Sequence, residues 1–250
     1  GLNCMAGEGS KLSIDGQIIT VRADPPPHME NVEVLRSGWT FRRDETQALQ
    51  MDDFDNPAFV FVDQGIDLFN KVEGSSGKSC ASCHTNVEDF SGLRAKMPVV
   101  RQDNIVSMEE LVNDCRTERM GAEAWKWSST SMTAITALIG LQSRGMPINV
   151  KIDGDATVHW EKGKQIYYVR VGQLDMSCAN CHEENYGNMI RADHLSQGQI
   201  NGFPTYRLKN AKLNSIHARF KGCMKNIRAT PYKEGSDEFK ALELYLASRA

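Results

Sequence analysis

Two short segments of the chain have the residue types and spacing to do chemistry: Cys80-Ala-Ser-Cys83-His84 and Cys178-Ala-Asn-Cys181-His182. With the seven cysteines and six histidines of this 250-residue chain, random placement would give about 0.005 such C-x-x-C-H matches. The spacing puts two thiols on one face of a short helix and an imidazole directly after them. Covalent attachment of a c-type haem requires that set: two thioether positions and a proximal iron ligand. A zinc site made of two C-x-x-C knuckles would want them about 15–20 residues apart. Here the motifs start at positions 80 and 178, and zinc leaves the paired histidines unexplained. A thioredoxin-like dithiol would want a βαβ setting, which the pattern lacks. The expected cofactors are therefore two covalently bound haem c groups, attached through Cys80, Cys83, Cys178 and Cys181, with His84 and His182 on iron. Haem c is attached outside the cytoplasm, so the expected location is the periplasm. The start Gly-Leu-Asn-Cys reads as a mature chain from which a signal peptide has been removed.

The sixth ligand is open on residue type alone. Met97, Met108, Met120 and Met132 follow the first motif, and Met189, His194, His217 and Met224 follow the second. Methionine or histidine is the ordinary choice in electron-transfer cytochromes, but with eleven Met in the chain most are expected to fill core gaps. Two lone cysteines compete. Cys115 lies 35 residues past Cys80, and Cys223 lies 45 past Cys178. Their equivalent places after the two motifs favour thiolate ligation at both irons. A mutual disulfide or two buried thiols is the plain alternative.

Charge separates the two cysteines. Thr205–Lys233 holds eight bases (Arg207, Lys209, Lys212, Arg219, Lys221, Lys225, Arg228 and Lys233) and no acid, in a chain of net charge −3. Val99–Ser128 around Cys115 holds four bases against six acids. A solvated basic face is the bland explanation. Positive charge beside a cysteine also lowers its pKa and draws a small dianion. Arg219, four residues before Cys223, has the fork for an oxyanion if that segment is helical. The second half is therefore expected to be catalytic and the first haem structural or secondary.

The elements that must hold these residues repeat. An amphipathic stretch precedes each motif (58–70 and 160–171), and a helical pattern ending in Ser-Arg follows each lone cysteine (132–144 and 239–249). The order helix, C-x-x-C-H, long loop, Cys, closing helix thus occurs twice. The expected fold class is mainly α: tandem duplicated cytochrome c-type domains behind an N-terminal extension with a short β element. The expected domains are 1–50 for the extension, 51–150 for the domain of the first haem and 151–250 for the domain of the second. Ser13–Val21 alternates like a strand or hairpin, and Gly38–Asp53 is expected to pack over the first repeat. The acidic balance, with pI about 6.1, argues against a general nucleic-acid binder. Apolar runs of about five or six residues exclude a membrane span, which needs roughly 18–20.

Several segments carry a family likeness. Ile190–Asn210 (IRADHLSQGQINGFPTYRLKN), Arg219-Phe-Lys-Gly-Cys223, Ser37–Arg42 (SGWTFR), Thr46–Phe54 (TQALQMDDF) and Cys115–Gly121 (CRTERMG) resemble the SoxA family. That family supplies the catalytic subunits of the SoxAX cytochromes of thiosulfate-oxidising bacteria; some members lack the first haem, but the intact Cys80-Ala-Ser-Cys83-His84 here implies a dihaem chain. The resemblance spans roughly residues 13–250. It implies a periplasmic enzyme, an L-cysteine S-thiosulfotransferase, that pairs with SoxX, a monohaem cytochrome c. The substrate would be thiosulfate, coupled oxidatively to a cysteine of SoxY in the carrier SoxYZ with release of two electrons. It implies His84 and Cys115 as ligands of the first iron, and His182 and Cys223 as ligands of the second. Cys223 would carry a persulfide and Arg219 would bind substrate. Cys4 precedes the matched region and has no role in it. Two other readings compete: a dihaem electron-transfer cytochrome without substrate chemistry, and a thiosulfate dehydrogenase forming tetrathionate.

Overall fold

The computed structural model describes residues 11–14 and 16–250; Cys4 lies outside them. Its helices are α1 (Asp44–Met51), α2 (Phe59–Asn70), α3 (Met108–Asp114), α4 (Thr130–Leu141), α5 (Thr157–Tyr168), α6 (Cys178–His182), α7 (Ile216–Asn226) and α8 (Asp237–Ala247). The strands pair only two by two, all antiparallel, so the chain is mainly α. Among the described residues no helix is long and apolar enough to cross a membrane.

Each half is built on a helix crossing, α2 on α4 and α5 on α8. A glycine at each crossing lets the two backbones touch. A Cβ on Gly65 would lie 2.7 Å from the Ala134 carbonyl oxygen, and one on Gly163 would lie 2.0 Å from that of Ala241. Val62, Phe69, Ile135 and Leu138 pack around the first crossing together with Met97, Met108 and Met132. Those three methionines are core residues, as gap-filling use of methionine allows. Trp160, Tyr167, Phe220, Leu244 and Tyr245 pack around the second.

The expected long loops between motif and lone cysteine are instead ordered, and alike in both halves. A cis Met97-Pro98 bond leads into the hairpin Val99–Arg101/Asn104–Val106, and a cis Phe203-Pro204 bond leads into Thr205–Arg207/Lys212–Asn214. Ser107 then caps α3 by accepting from the Glu110 N–H, and Ser215 caps α7 by accepting from the Ala218 N–H. Cys115 and Cys223 each stand eight residues past their capping serine. Cys115 opens a π-helical turn, Cys115–Met120, whereas Cys223 lies within α7.

The hairpin Lys11–Ile14/Gln17–Thr20 forms as its alternation suggests. The stretch after it does not pack chiefly over the first repeat. Arg42 pairs with Asp193 and donates to the His194 carbonyl at 2.8 Å, Phe41 packs edge-on against Tyr186, and Asn31 donates to Glu183 at 3.3 Å. All of these partners are in the second half. Its far end turns to the first half, where Arg144 grips Asp53 through two donors at 2.7 and 2.5 Å.

A buried charged cluster joins the halves. His217 takes an N–H from Gly235 on Nδ1 at 3.0 Å, so its Nε2 carries the hydrogen given to Glu243 at 3.1 Å. Arg94 lies 3.7 Å from the other Glu243 oxygen, and the Lys240–Glu110 pair at 2.9 Å flanks the cluster. Glu109 is buried against this group. Burial, then the charge of Glu243, pushes its carboxyl up from 4.5 to about 7. Burial also opposes ionisation of Glu243, but the His217 hydrogen bond and Arg94 outweigh it and hold that carboxyl low. The folded state therefore keeps a proton that the unfolded chain gives up above 4.5, and stability falls as pH rises from about 4.5 through about 7. Glu109→Gln should flatten this fall in thermal melts taken at pH 5 and pH 8. An unchanged slope would place the proton elsewhere.

Candidate functional site

Both motifs sit where a capped turn follows the first helix of a crossing. Ser79 and Ser177 each accept from the N–H three residues on, and the side chains of Ser82 and Asn180 answer on their backbone N–H groups. The first motif is a 3-10 turn, Cys80–Ser82, and the second is α6. Both present their thiols toward the lone cysteine of the same half. Cys115 is near enough for its charge to raise the Cys80 thiol, after the larger effect of burial. Burial and then Cys223 push the Cys178 thiol up to about 12. All six described cysteines are free, so Cys115 and Cys223 are not joined in a disulfide. Among the described residues no three or more His, Cys, Asp or Glu side chains cluster as an ordinary metal site, and the two C-x-x-C pairs do not converge as zinc knuckles would.

The setting of the motif histidine is most fully built in the second half. The Nδ1 of His182 donates to the Ser196 carbonyl at 2.8 Å, which leaves Nε2 as its free nitrogen. The ring is close enough to Cys223 to help lower its thiol. Gly198 lies flat against that ring, at φ +80°, where a Cβ would come within 3.1 Å of Cγ. Behind it, buried Glu183 pairs with Arg249 at 2.7 Å and accepts from the Tyr168 hydroxyl at 2.7 Å. The donor set fits haem c: two thiols for thioethers, then an imidazole and a thiol facing each other. In the first half His84 packs on Phe90, with ring centroids 4.7 Å apart, and Cys83 and Cys115 are exposed. His217, offered as a distal ligand on residue type, is engaged by Glu243 and Gly235 instead.

The electrostatics of the two lone cysteines differ in sign. Burial raises the Cys115 thiol and Arg119 only partly offsets it. Burial also acts on Cys223, but the His182 contact, Arg219 and Arg207 outweigh it and lower that thiol. Arg219 and Cys223 are one turn apart on α7, as i and i+4. Arg219 is half-buried and forms no ion pair among the described residues, whereas Lys221 is taken by Glu234 at 3.2 Å. The equivalent of Arg219, four residues before Cys115, is Leu111. Arg116 beside Cys115 is spent on Glu73 at 2.7 Å and on the Trp125 ring at 3.7 Å. Arg119 acts on Cys115 too, but only beside Cys223 does the positive charge outweigh burial.

Sequence reasoning missed Ser196, Gly198 and Gln197. A backbone carbonyl has no residue-type signature, and the only trace was a glycine in the Ser-Gln-Gly-Gln run at 196–199.

The chain is similar to known proteins along most of its length. Residues 64–148 match a family model described as "SoxA/TsdA, cytochrome c domain". The L-cysteine S-thiosulfotransferase subunit SoxA of Paracoccus pantotrophus is 57% identical over 93% of this chain and 81% of its own length. The protein of the same description from Rhodovulum sulfidophilum is 53% identical over 98% of this chain and 87% of its own. A solved chain in the crystal structure of SoxXA from P. pantotrophus superposes with TM-score 0.92 at 54% identity, covering 97% of this chain and 94% of that one.

Proposed function

The chain belongs to the SoxA family of L-cysteine S-thiosulfotransferase subunits, and from that premise we propose that its chemistry is run by Cys223 and Arg219 beside the second of two haem c groups. It is a cytochrome c-type subunit of the thiosulfate-oxidising kind, and the partner suggested by the solved complex is a SoxX-type cytochrome. Cys80, Cys83, His84 and Cys115 would hold one haem, and Cys178, Cys181, His182 and Cys223 would hold the other. A bound haem would supply the electron acceptor, with a partner cytochrome to receive the electrons. The reaction fits the periplasm, where haem c is attached.

The substrate is thiosulfate and the acceptor a cysteine of the SoxYZ carrier. Thiosulfate dianion and the carrier thiol give a carrier S-thiosulfonate, one proton and two electrons; a sulfur–sulfur bond forms and the thiol S–H breaks. Arg219 receives the sulfonate oxygens on its fork, which leaves the outer sulfur directed along α7 toward Cys223. Arg207 adds positive potential at the same place. The exposed Lys209, Lys212 and Lys225 offer a basic approach for the carrier arm.

One observation carries this reading. Among the described residues, only the second half sets an arginine without an ion pair one turn from a lone cysteine whose thiol is held low. The test is Arg219→Ala. A charge-assisted contact contributes about 1.5–3 kcal/mol, so thiosulfate turnover should fall about 10- to 150-fold while the haem spectrum stays as it was. An unchanged rate would remove Arg219 from the site and leave an electron carrier.

A further inference from the structure

Gln197 is fully buried and spends its amide on the N-terminal segment. Its Oε1 accepts the Arg36 backbone N–H at 2.7 Å and the Gln199 amide at 3.0 Å, and its Nε2 donates to the Val34 carbonyl at 2.9 Å. The residue before it, Ser196, supplies the carbonyl that holds His182 Nδ1, and the residue after it, Gly198, is packed on the His182 ring. The same loop is gripped at its start by Arg42, through Asp193 and the His194 carbonyl. The segment itself is tied down by the short pairing of Arg22–Ala23 with Leu35–Arg36 and by the buried trio Met29, Val32 and Leu35. Residues some 160 positions apart in the chain thus close on the loop that sets one imidazole. His84 has no matching hydrogen bond among the described residues.

We propose that residues 31–42 are a strap that orients His182, acting through Gln197 and Arg42 as positioning residues. The physical route is short. An imidazole that donates from Nδ1 to a fixed carbonyl is held in one tautomer and one ring orientation, and it is the more basic ligand for that bond. Two of the buried amide's three contacts are to the strap's backbone, so the carbonyl can move only if the strap does. Removing the amide deprives the Arg36 N–H and the Val34 carbonyl of these partners, and the loop relaxes away from the ring. A weaker bond to Ser196 makes His182 a poorer donor to iron and raises the midpoint potential of that centre alone.

This role rests on His182 being an iron ligand, which the spectrum of the unaltered protein tests separately. Electron paramagnetic resonance of the oxidised, haem-loaded protein should show histidine/thiolate centres; if the second centre does not, the ligand assignment is wrong, whatever the strap does. With that established, Gln197→Ala is titrated potentiometrically with optical and paramagnetic detection of both centres. The expected result is an upward shift and a broadened signal at the second centre, an unmoved first centre and an unchanged mass for two haems. Arg42→Ala, which loosens the same loop from the surface, should shift the second centre in the same sense by less, and it keeps the test open if Gln197→Ala does not assemble. Both centres unmoved in the variants that assemble, or both shifted together with the melting temperature, would overturn the strap as a positioning element.

Discussion

Replacing Cys223 with alanine is expected to abolish thiosulfate coupling, with turnover lower by at least about 10³-fold, the scale of losing a residue on which the reaction centres. The same change should strip the thiolate signature from the second centre and leave the first as it was. Cys115→Ala is the counterpart. Its thiol is raised rather than lowered, its neighbour Arg116 is already paired with Glu73, and Leu111 stands where an anion-binding arginine would be. That variant should disturb only the first centre's spectrum and keep turnover within about tenfold of the parent, a change of roughly 1.4 kcal/mol in the barrier. Steady-state assays with thiosulfate and carrier protein, run beside paramagnetic spectra of both variants, decide it. A dead Cys115 variant with a fully active Cys223 variant would move the active site to the other half.

The second large effect is expected at Gly163, in the crossing of α5 and α8. Even an alanine Cβ there would sit 2.0 Å from the Ala241 carbonyl oxygen and 2.8 Å from the Tyr245 Cβ. Backbone cannot swing aside as a flexible side chain can, so α5 must lift off α8. Phe239, Ala241, Leu244 and Tyr245 of α8 are wholly buried, and separating the helices opens that core. Overpacking costs about 1–3 kcal/mol, occasionally more, and backbone contact belongs at the upper end. For a fold stabilised by about 5–15 kcal/mol, Gly163→Ala should lower the melting temperature markedly and yield a fraction of chains lacking one haem by intact mass. Gly65→Ala meets the Ala134 oxygen at 2.7 Å and should be milder. A Gly163→Ala protein that melts with the parent and carries full haem would show that the crossing can yield.

What could be read from the sequence follows what is local in it. Haem attachment demands fixed spacing, so the two C-x-x-C-H motifs and their cofactor were legible, and the four packing helices announced themselves by periodicity. The basic surroundings of Cys223, with Arg219 one turn away, were legible because charge composition survives without coordinates. The N-terminal stretch was misjudged because Arg42–Asp193 and Gln197–Val34 join segments with no shared pattern. Glu109 was likewise hidden. An acid in the first turn of a helix is ordinarily a solvated partner of the helix dipole, and only the approach of α8 and α7 buries it. The ordered hairpins before each lone cysteine were missed since strands of three residues give too few alternations to read.

The buried cluster also records what became of the duplication. Glu109 stands two residues past Ser107, and His217 two past Ser215; they are the same position of the repeat, and they share one cluster with Glu243. Glu243, seven residues past its capping Ser236, corresponds to Thr136, seven past Ser129. The copies have thus ceased to be interchangeable parts. A tandem of two first halves would set carboxyl against carboxyl with no imidazole to answer, and a tandem of two second halves would set imidazole against imidazole. The contact between the copies thus favours this order of unlike halves, and the same unlikeness separates Leu111 in one from Arg219 in the other.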